Sequence, residues 1–212
     1  MFSEFAEVSA ATWGVIVALL LVGIIVFAVS KDKKRWTARM LANGALCIAL
    51  ATVLSFVTLY KMPQGGTIML ASMLPIFLFS YAYGVGPGML VGAAYGFVQF
   101  LQGGLYFVHP IELLLDYPLA FGAIGLAGLI FMARKDGLIP AYLFGVLCRY
   151  ICSVISGVVF FGAYVPEGFS PLTWSLWYNI LYMGVEAAGT VVLLLIPSVR
   201  HSLKRIKTEL QV

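Results

Sequence analysis

The sequence predicts an all-α membrane protein, and three observations carry the prediction. Of 212 residues, 62% are hydrophobic and 10% charged, and mean hydropathy is +1.00. Apolar runs near the ~20 residues that a helix needs to cross a bilayer recur from end to end. Basic residues collect in alternate loops, as the cytoplasmic face of a multi-pass protein requires. A soluble domain of this length would need a polar surface that the chain lacks.

Seven spans are expected, over residues 8–30, 38–60, 67–83, 87–102, 112–133, 138–163 and 171–197. The first follows MFSEFAEVSA, which carries Glu4 and Glu7 and no basic residue, and precedes a basic stop at Lys31. A signal peptide has the opposite sign at its start, so this reads as a retained helix with an outside N-terminus. Lys31, Lys33, Lys34, Arg35 and Arg39 mark the next loop as cytoplasmic. Arg134 and Lys135, between the fifth and sixth spans, and Arg200, Lys204, Arg205 and Lys207 at the C-terminus mark the same side. The intervening loops hold only Lys61, so the C-terminus is expected in the cytoplasm of a plasma-membrane protein. The organisation expected is an N-terminal helix with its basic loop (1–37), a core (38–199) and a basic tail (200–212).

Composition also excludes. A net charge of +4 is the cytoplasmic rim of a membrane protein and no argument for nucleic acid. Cys47, Cys148 and Cys152 lie in apolar spans with no His or third Cys near enough to complete a metal pattern, so small buried thiols are expected. Neither a nucleophile elbow, nor a Walker A loop, nor an HExxH motif occurs, so no catalytic residue, metal or cofactor is expected. If the chain takes part in any ATP-driven process, another chain must hydrolyse the ATP.

The most informative stretch is LYFVHPIELLLDYPLAF, from Leu105 to Phe121, which carries Glu112 and Asp116 into an apolar span. An ionisable group there costs at least about 2.5–3.5 kcal/mol on insertion scales, so it is kept for a ligand, an ion or a partner charge. Tyr106, His109 and Tyr117 flank it, and Trp174, Trp177, Tyr178 and Asn179 open the last span at a similar depth. A carboxylate, an amide and several flat rings suit a cationic, planar, hydrogen-bonding heterocycle. The plainer readings are an interfacial belt for Trp177, a solvated loop position for His109 and a helix cap for Glu112. Arg149 and Glu186 both fall near mid-membrane and are expected to form a structural ion pair with each other.

These residues resemble a known family: the thiamine-specific substrate-binding S components of energy-coupling factor (ECF) vitamin transporters. The matching stretches are LATVLSF (Leu50 to Phe56), MPQGGTIMLASMLPIF (Met62 to Phe77), YGFVQFLQGG (Tyr95 to Gly104), VHPIELLLDYPLAFGAIGLAG (Val108 to Gly128), RYICSVISGVVFFGAYVPEG (Arg149 to Gly168) and SLWYN (Ser175 to Asn179). The resemblance implies a six-helix bundle that binds thiamine from outside, has no catalysis of its own, and here carries one extra N-terminal helix. It implies that Asp116 and Tyr117 of the L-L-[DE]-Y-P motif, Tyr106, Trp174 and Asn179 contribute to the site. Ser153 stands where the family has a histidine and Phe161 where it has a tryptophan, so the ligand is either thiamine or a close relative. Members also dock a transmembrane coupling subunit, which works with two ATPase subunits, through small residues on the first core helix. Ala38, Ala42, Ala45 and Ala49 line one helix face in that way.

The expected site is therefore Asp116, Tyr117, Tyr106, His109, Ser153, Phe161, Trp174, Tyr178 and Asn179, with no enzyme activity. Three alternatives stay open: the same fold with a thiamine precursor or another small vitamin, an ion-coupled secondary transporter working alone, and an intramembrane enzyme using Asp116 with His109.

Overall fold

The structure, a computed structural model, describes residues 36–103, 109–133 and 137–211, with Gly14, Val17, Gly23 and Ile24. Apart from those four helical residues, the expected first span lies outside the described residues, as do Tyr106 and the basic pair Arg134 and Lys135. The rest is helical, with one small sheet. Helix α1 (Ala38–Phe56) starts at Thr37, whose hydroxyl accepts from Met40 N at 3.2 Å. All four alanines of its stripe are exposed.

A two-stranded antiparallel hairpin follows, which the sequence reading missed. Strands β1 (Thr58–Lys61) and β2 (Thr67–Met69) pair Tyr60 with Ile68 and Lys61 with Thr67. The expected spans 38–60 and 67–83 are each shortened by it. Apolarity ran on through both strands, but Gln64 (φ 68°) and Gly65 (φ 92°) reverse the chain between them, and β-branched Thr58, Thr67 and Ile68 favour the extended state.

Helices α2 (Leu74–Tyr83) and α3 (Val85–Gln102) are separated by Gly84 at φ 96°, a left-handed conformation that suits glycine. Helix α4 spans Pro110–Ile130. It is α-helical over Pro110–Leu114, opens to a π-helical turn over Leu115–Leu119, and returns through a 3-10 turn at Ile124–Leu126. Pro118 lies inside the wide turn and has no N–H to give to the ordinary ladder, which accounts for the break. Helices α5 (Leu138–Phe160) and α6 (Pro171–Leu195) complete the bundle. The basic tail is a further helix, α7 (Pro197–Gln211), packed on α2 and α6 with Leu203 buried.

By length and apolarity, α1, α4, α5 and α6 can each cross a bilayer. Their exposed faces are rich in Leu, Val and Ile, as lipid-facing surfaces are: Leu46, Val53, Leu147, Ile151, Val185 and Val192 are all exposed. The interior is aromatic. Phe77 meets Tyr142 edge-on at 5.4 Å, and Tyr95 meets Phe121 likewise at 5.0 Å. Glycines bring α3 against the irregular part of α4. A Cβ on Gly92 would lie 2.4 Å from Phe121 O, and one on Gly96 would lie 2.4 Å from Tyr117 O. The backbones therefore touch where the π turn sits, and that contact sets the height of Asp116 and Tyr117 in the bundle.

Candidate functional site

A cavity of about 480 Å³ opens between the hairpin, α3, α4, α5 and α6. Seven of the nine expected site residues line it: Asp116, Tyr117, Ser153, Phe161, Trp174, Tyr178 and Asn179. Tyr106 is outside the described residues. His109 is the correction.

His109 is buried at the start of α4, where its side chain caps the helix. Its Nδ1 accepts from Ile111 N at 3.1 Å, and its own N–H donates to Glu112 Oε2 at 3.2 Å, a reciprocal cap. The ring stacks on Phe160 at 5.3 Å and is not among the cavity-lining side chains. Proline after His109 pre-sets the first helical turn. Glu112 is both cap and lining residue. His109→Ala is expected to lower stability by about 1–2 kcal/mol, with His109→Asn recovering the cap's share. Thermal unfolding of the detergent-solubilised protein measures both.

Asp116 sits in the wide turn of α4, half-buried and facing the cavity. Its Oδ2 accepts from the fully buried Ser156 Oγ at 2.7 Å. One hydrogen bond leaves most of a carboxylate's acceptor capacity for whatever enters. Beside it, Tyr117 meets Phe100 edge-on at 5.4 Å.

The N-terminal end of α6 lines the same cavity. Ser170 and Thr173 cap each other there, and the helix packs on α5 where Gly157 leaves room for Ser175. Ser175 Oγ donates to Val154 O at 2.9 Å. Asn179 is buried, with Nδ2 donating to Ser175 O at 2.9 Å and Oδ1 accepting from Tyr182 OH at 2.9 Å. An amide oxygen has two lone pairs, so Asn179 can still accept from an amine in the cavity.

The hairpin forms the roof. Trp174 Nε1 donates to Gln64 Oε1 at 3.2 Å, and Gln64 Nε2 donates to Tyr164 O at 2.8 Å. Tyr178 OH accepts from Gly66 N at 2.7 Å and donates to Pro63 O. A Cβ on Gly66 would lie 2.6 Å from that hydroxyl, so any larger residue there must displace the Tyr178 ring end.

Sequence reasoning missed part of the lining. Arg149 lines the cavity with its guanidinium 3.9 Å over the Phe121 ring, and its Nε is buried without a hydrogen-bond partner. Among the described residues Arg149 and Glu186 make no close ion pair: the guanidinium lies over Phe121, and Glu186 accepts from Ser72. Helical rise gave both residues the same depth but could not give their contacts, which are a ring face for Arg149 and the residues before α2 for Glu186. Gln99 and Gln102 also line the cavity, with Gln99 Nε2 donating to Gln102 Oε1 at 2.8 Å. Two amides three residues apart in an apolar helix were the signal that could have found them. No cluster able to hold a metal occurs among the described residues. The three cysteines are free.

Three comparisons bear on this site. Over 153 residues the chain is 39% identical to "Thiamine transporter ThiT" of Bacillus subtilis (strain 168), covering 66% of this chain and 79% of that one. Over 122 residues it is 28% identical to "Thiamine transporter ThiT" of Lacticaseibacillus paracasei, covering 50% and 61%. The fold resembles a solved structure of ThiT from Listeria monocytogenes with TM-score 0.57 and 24% identity, over 81% of this chain and 93% of that one. With the family's pattern matched over residues 41–205, from α1 into α7, the chain belongs to the thiamine transporter protein family (Thia_YuaJ).

Proposed function

We propose that this chain captures thiamine in the roofed cavity from the outer face of the plasma membrane and delivers it inward as the S component of an ECF-type transporter. It is a multi-pass membrane transport protein and not an enzyme, as its family is. The observation that carries the reading is one cavity uniting the Asp116 carboxylate, the rings of Tyr117, Phe161 and Trp174, and the Asn179 amide. Thiamine pairs a cationic thiazolium with an aminopyrimidine. Asp116 balances the cation, the rings enclose both heterocycles, and the spare Asn179 lone pair accepts from the amine.

The cavity is of the size that small-molecule sites have, about 300–1,000 Å³. Delivery needs a coupling subunit and two ATPases, and the exposed alanine stripe of α1 offers the flat surface on which a second helix can pack closely. The distribution of basic residues along the sequence supports a cytoplasmic C-terminus and an outside N-terminus.

Ser153 and Phe161 favour a second ligand within the same reading. A serine at 153 leaves more room than the histidine the resemblance leads one to expect, so a thiamine relative is the natural competitor. The test is quenching of intrinsic fluorescence by thiamine in the purified protein, followed by competition with its pyrimidine and thiazole halves. Saturable quenching by thiamine at sub-micromolar concentration is the expected result. Tighter binding of either half, or no quenching at micromolar thiamine, would change the ligand. Uptake by the chain alone in liposomes would overturn the need for partners.

A further inference from the structure

Glu186 lies in α6 beneath the cavity, 5% exposed and not among the lining residues. Its Oε1 accepts from Ser72 Oγ at 2.8 Å and from Met73 N at 3.4 Å. Those two residues close the return from β2 into α2. Met73 is the N-cap of α2 and makes no side-chain cap bond, while Pro75 in the first turn has no N–H to offer. A carboxylate from a helix more than a hundred residues further along therefore takes the capping place, at the positive end of the α2 dipole. Next to it, buried Ala71 is held at φ 51°. Crowding between Cβ and the carbonyl disfavours that conformation for alanine, and it persists only where its surroundings hold it.

We infer that Glu186 is a positioning residue for ligand binding, anchoring the base of the hairpin whose tip roofs the cavity. The tip is tied to α6 through Trp174 and Tyr178, and the base is tied to the same helix through Glu186. One rigid strut thus sets the height of the roof above Asn179, which stands on that strut between the two ties. Without Glu186, the Ser72 hydroxyl and the Met73 N–H lose their acceptor. Ala71 is then free to relax to negative φ, and β2 shifts against the cavity. Glu186 does this without touching the ligand.

The inference rests on the proposed reading of the cavity, and the experiment keeps the two apart. Wild type, Glu186→Ala, Glu186→Gln and Ser72→Ala are purified in detergent. Trypsin cleavage after exposed Lys61 is followed without ligand, and thiamine dissociation is followed by stopped-flow fluorescence. Glu186→Ala is expected to speed both cleavage and dissociation roughly tenfold, in line with loss of a buried charge-assisted contact. Glu186→Gln keeps an acceptor oxygen and should restore most of each rate, and Ser72→Ala should reproduce part of the loss.

Unchanged cleavage and dissociation in a folded Glu186→Ala protein would overturn the inference, as would Glu186→Gln behaving like Glu186→Ala. If Glu186→Ala does not fold, Ser72→Ala decides by the same two rates, and no change in either overturns the inference. A wild-type chain that binds no thiamine would sink the ligand assignment, while the cleavage rates would still test the anchor.

Discussion

Asp116→Asn is expected to weaken thiamine binding by about ten- to a hundredfold, the equivalent of the ~1.5–3 kcal/mol that a charge-assisted contact supplies in a desolvated site. The substitution is close to isosteric, and its amide oxygen can still accept from Ser156 Oγ, which lies 2.7 Å from the carboxylate in the native protein. What it removes is the charge. A thiamine isostere with an uncharged ring in place of the thiazolium makes the complementary change on the ligand side. Wild type should lose affinity for that isostere by a similar factor, and Asp116→Asn should barely distinguish the two ligands. Titration calorimetry over the four combinations gives the coupling directly. Additive losses would mean that Asp116 holds the cavity's shape through Ser156 and does not meet the cation.

Gly96→Ala is expected to have the largest effect on folding, about 1–3 kcal/mol or more. The new Cβ would lie 2.4 Å from Tyr117 O, 2.5 Å from Tyr117 C and 2.8 Å from Pro118 N. All three are backbone atoms, so no side-chain rotation can relieve the overlap, and α3 and α4 must move apart. Because the contact falls on the wide turn that carries Asp116 and Tyr117, ligand affinity should fall together with thermal stability. Gly189→Ala is the control: nothing lies within 4 Å of its added Cβ, and a mid-helix Gly→Ala change should instead stabilise by roughly 0.5–1 kcal/mol. Thermal unfolding of the three proteins, with and without thiamine, separates packing from binding. A Gly96→Ala protein as stable as wild type would mean that α3 and α4 do not depend on this backbone contact.

Much of the site was legible because its chemistry is expensive in a membrane. Asp116 stood out as an acid in an apolar run, and Trp174, Tyr178 and Asn179 as a polar and aromatic cluster at one helix start. Seven of the nine expected residues line one cavity, Asp116 from α4 and Asn179 from α6. His109 misled because a histidine before proline reads equally well as a ligand residue or a cap, and its neighbour in space, Phe160, is remote in sequence. Arg149 misled in the other direction: an opposite charge at its depth suggested a pair, whereas the guanidinium lies over Phe121.

The sequence by itself determined that the chain spans a membrane, where most of its helices run, and which residue types the bilayer would not tolerate without a purpose. Those properties follow from composition and from the helix repeat, which are local. Three features needed the tertiary structure: the hairpin roof, the wide turn at Pro118 and the azimuth of every mid-membrane polar group. The roof depends on Tyr178 meeting Gly66 and Trp174 meeting Gln64, each across more than a hundred residues. The height of the wide turn depends on glycines of α3 that admit a second backbone. Rotation about a helix axis is set by its neighbours, so Glu186 could be given a depth from sequence, but its partners, Ser72 and Met73, appear only when the return from β2 into α2 is packed against α6.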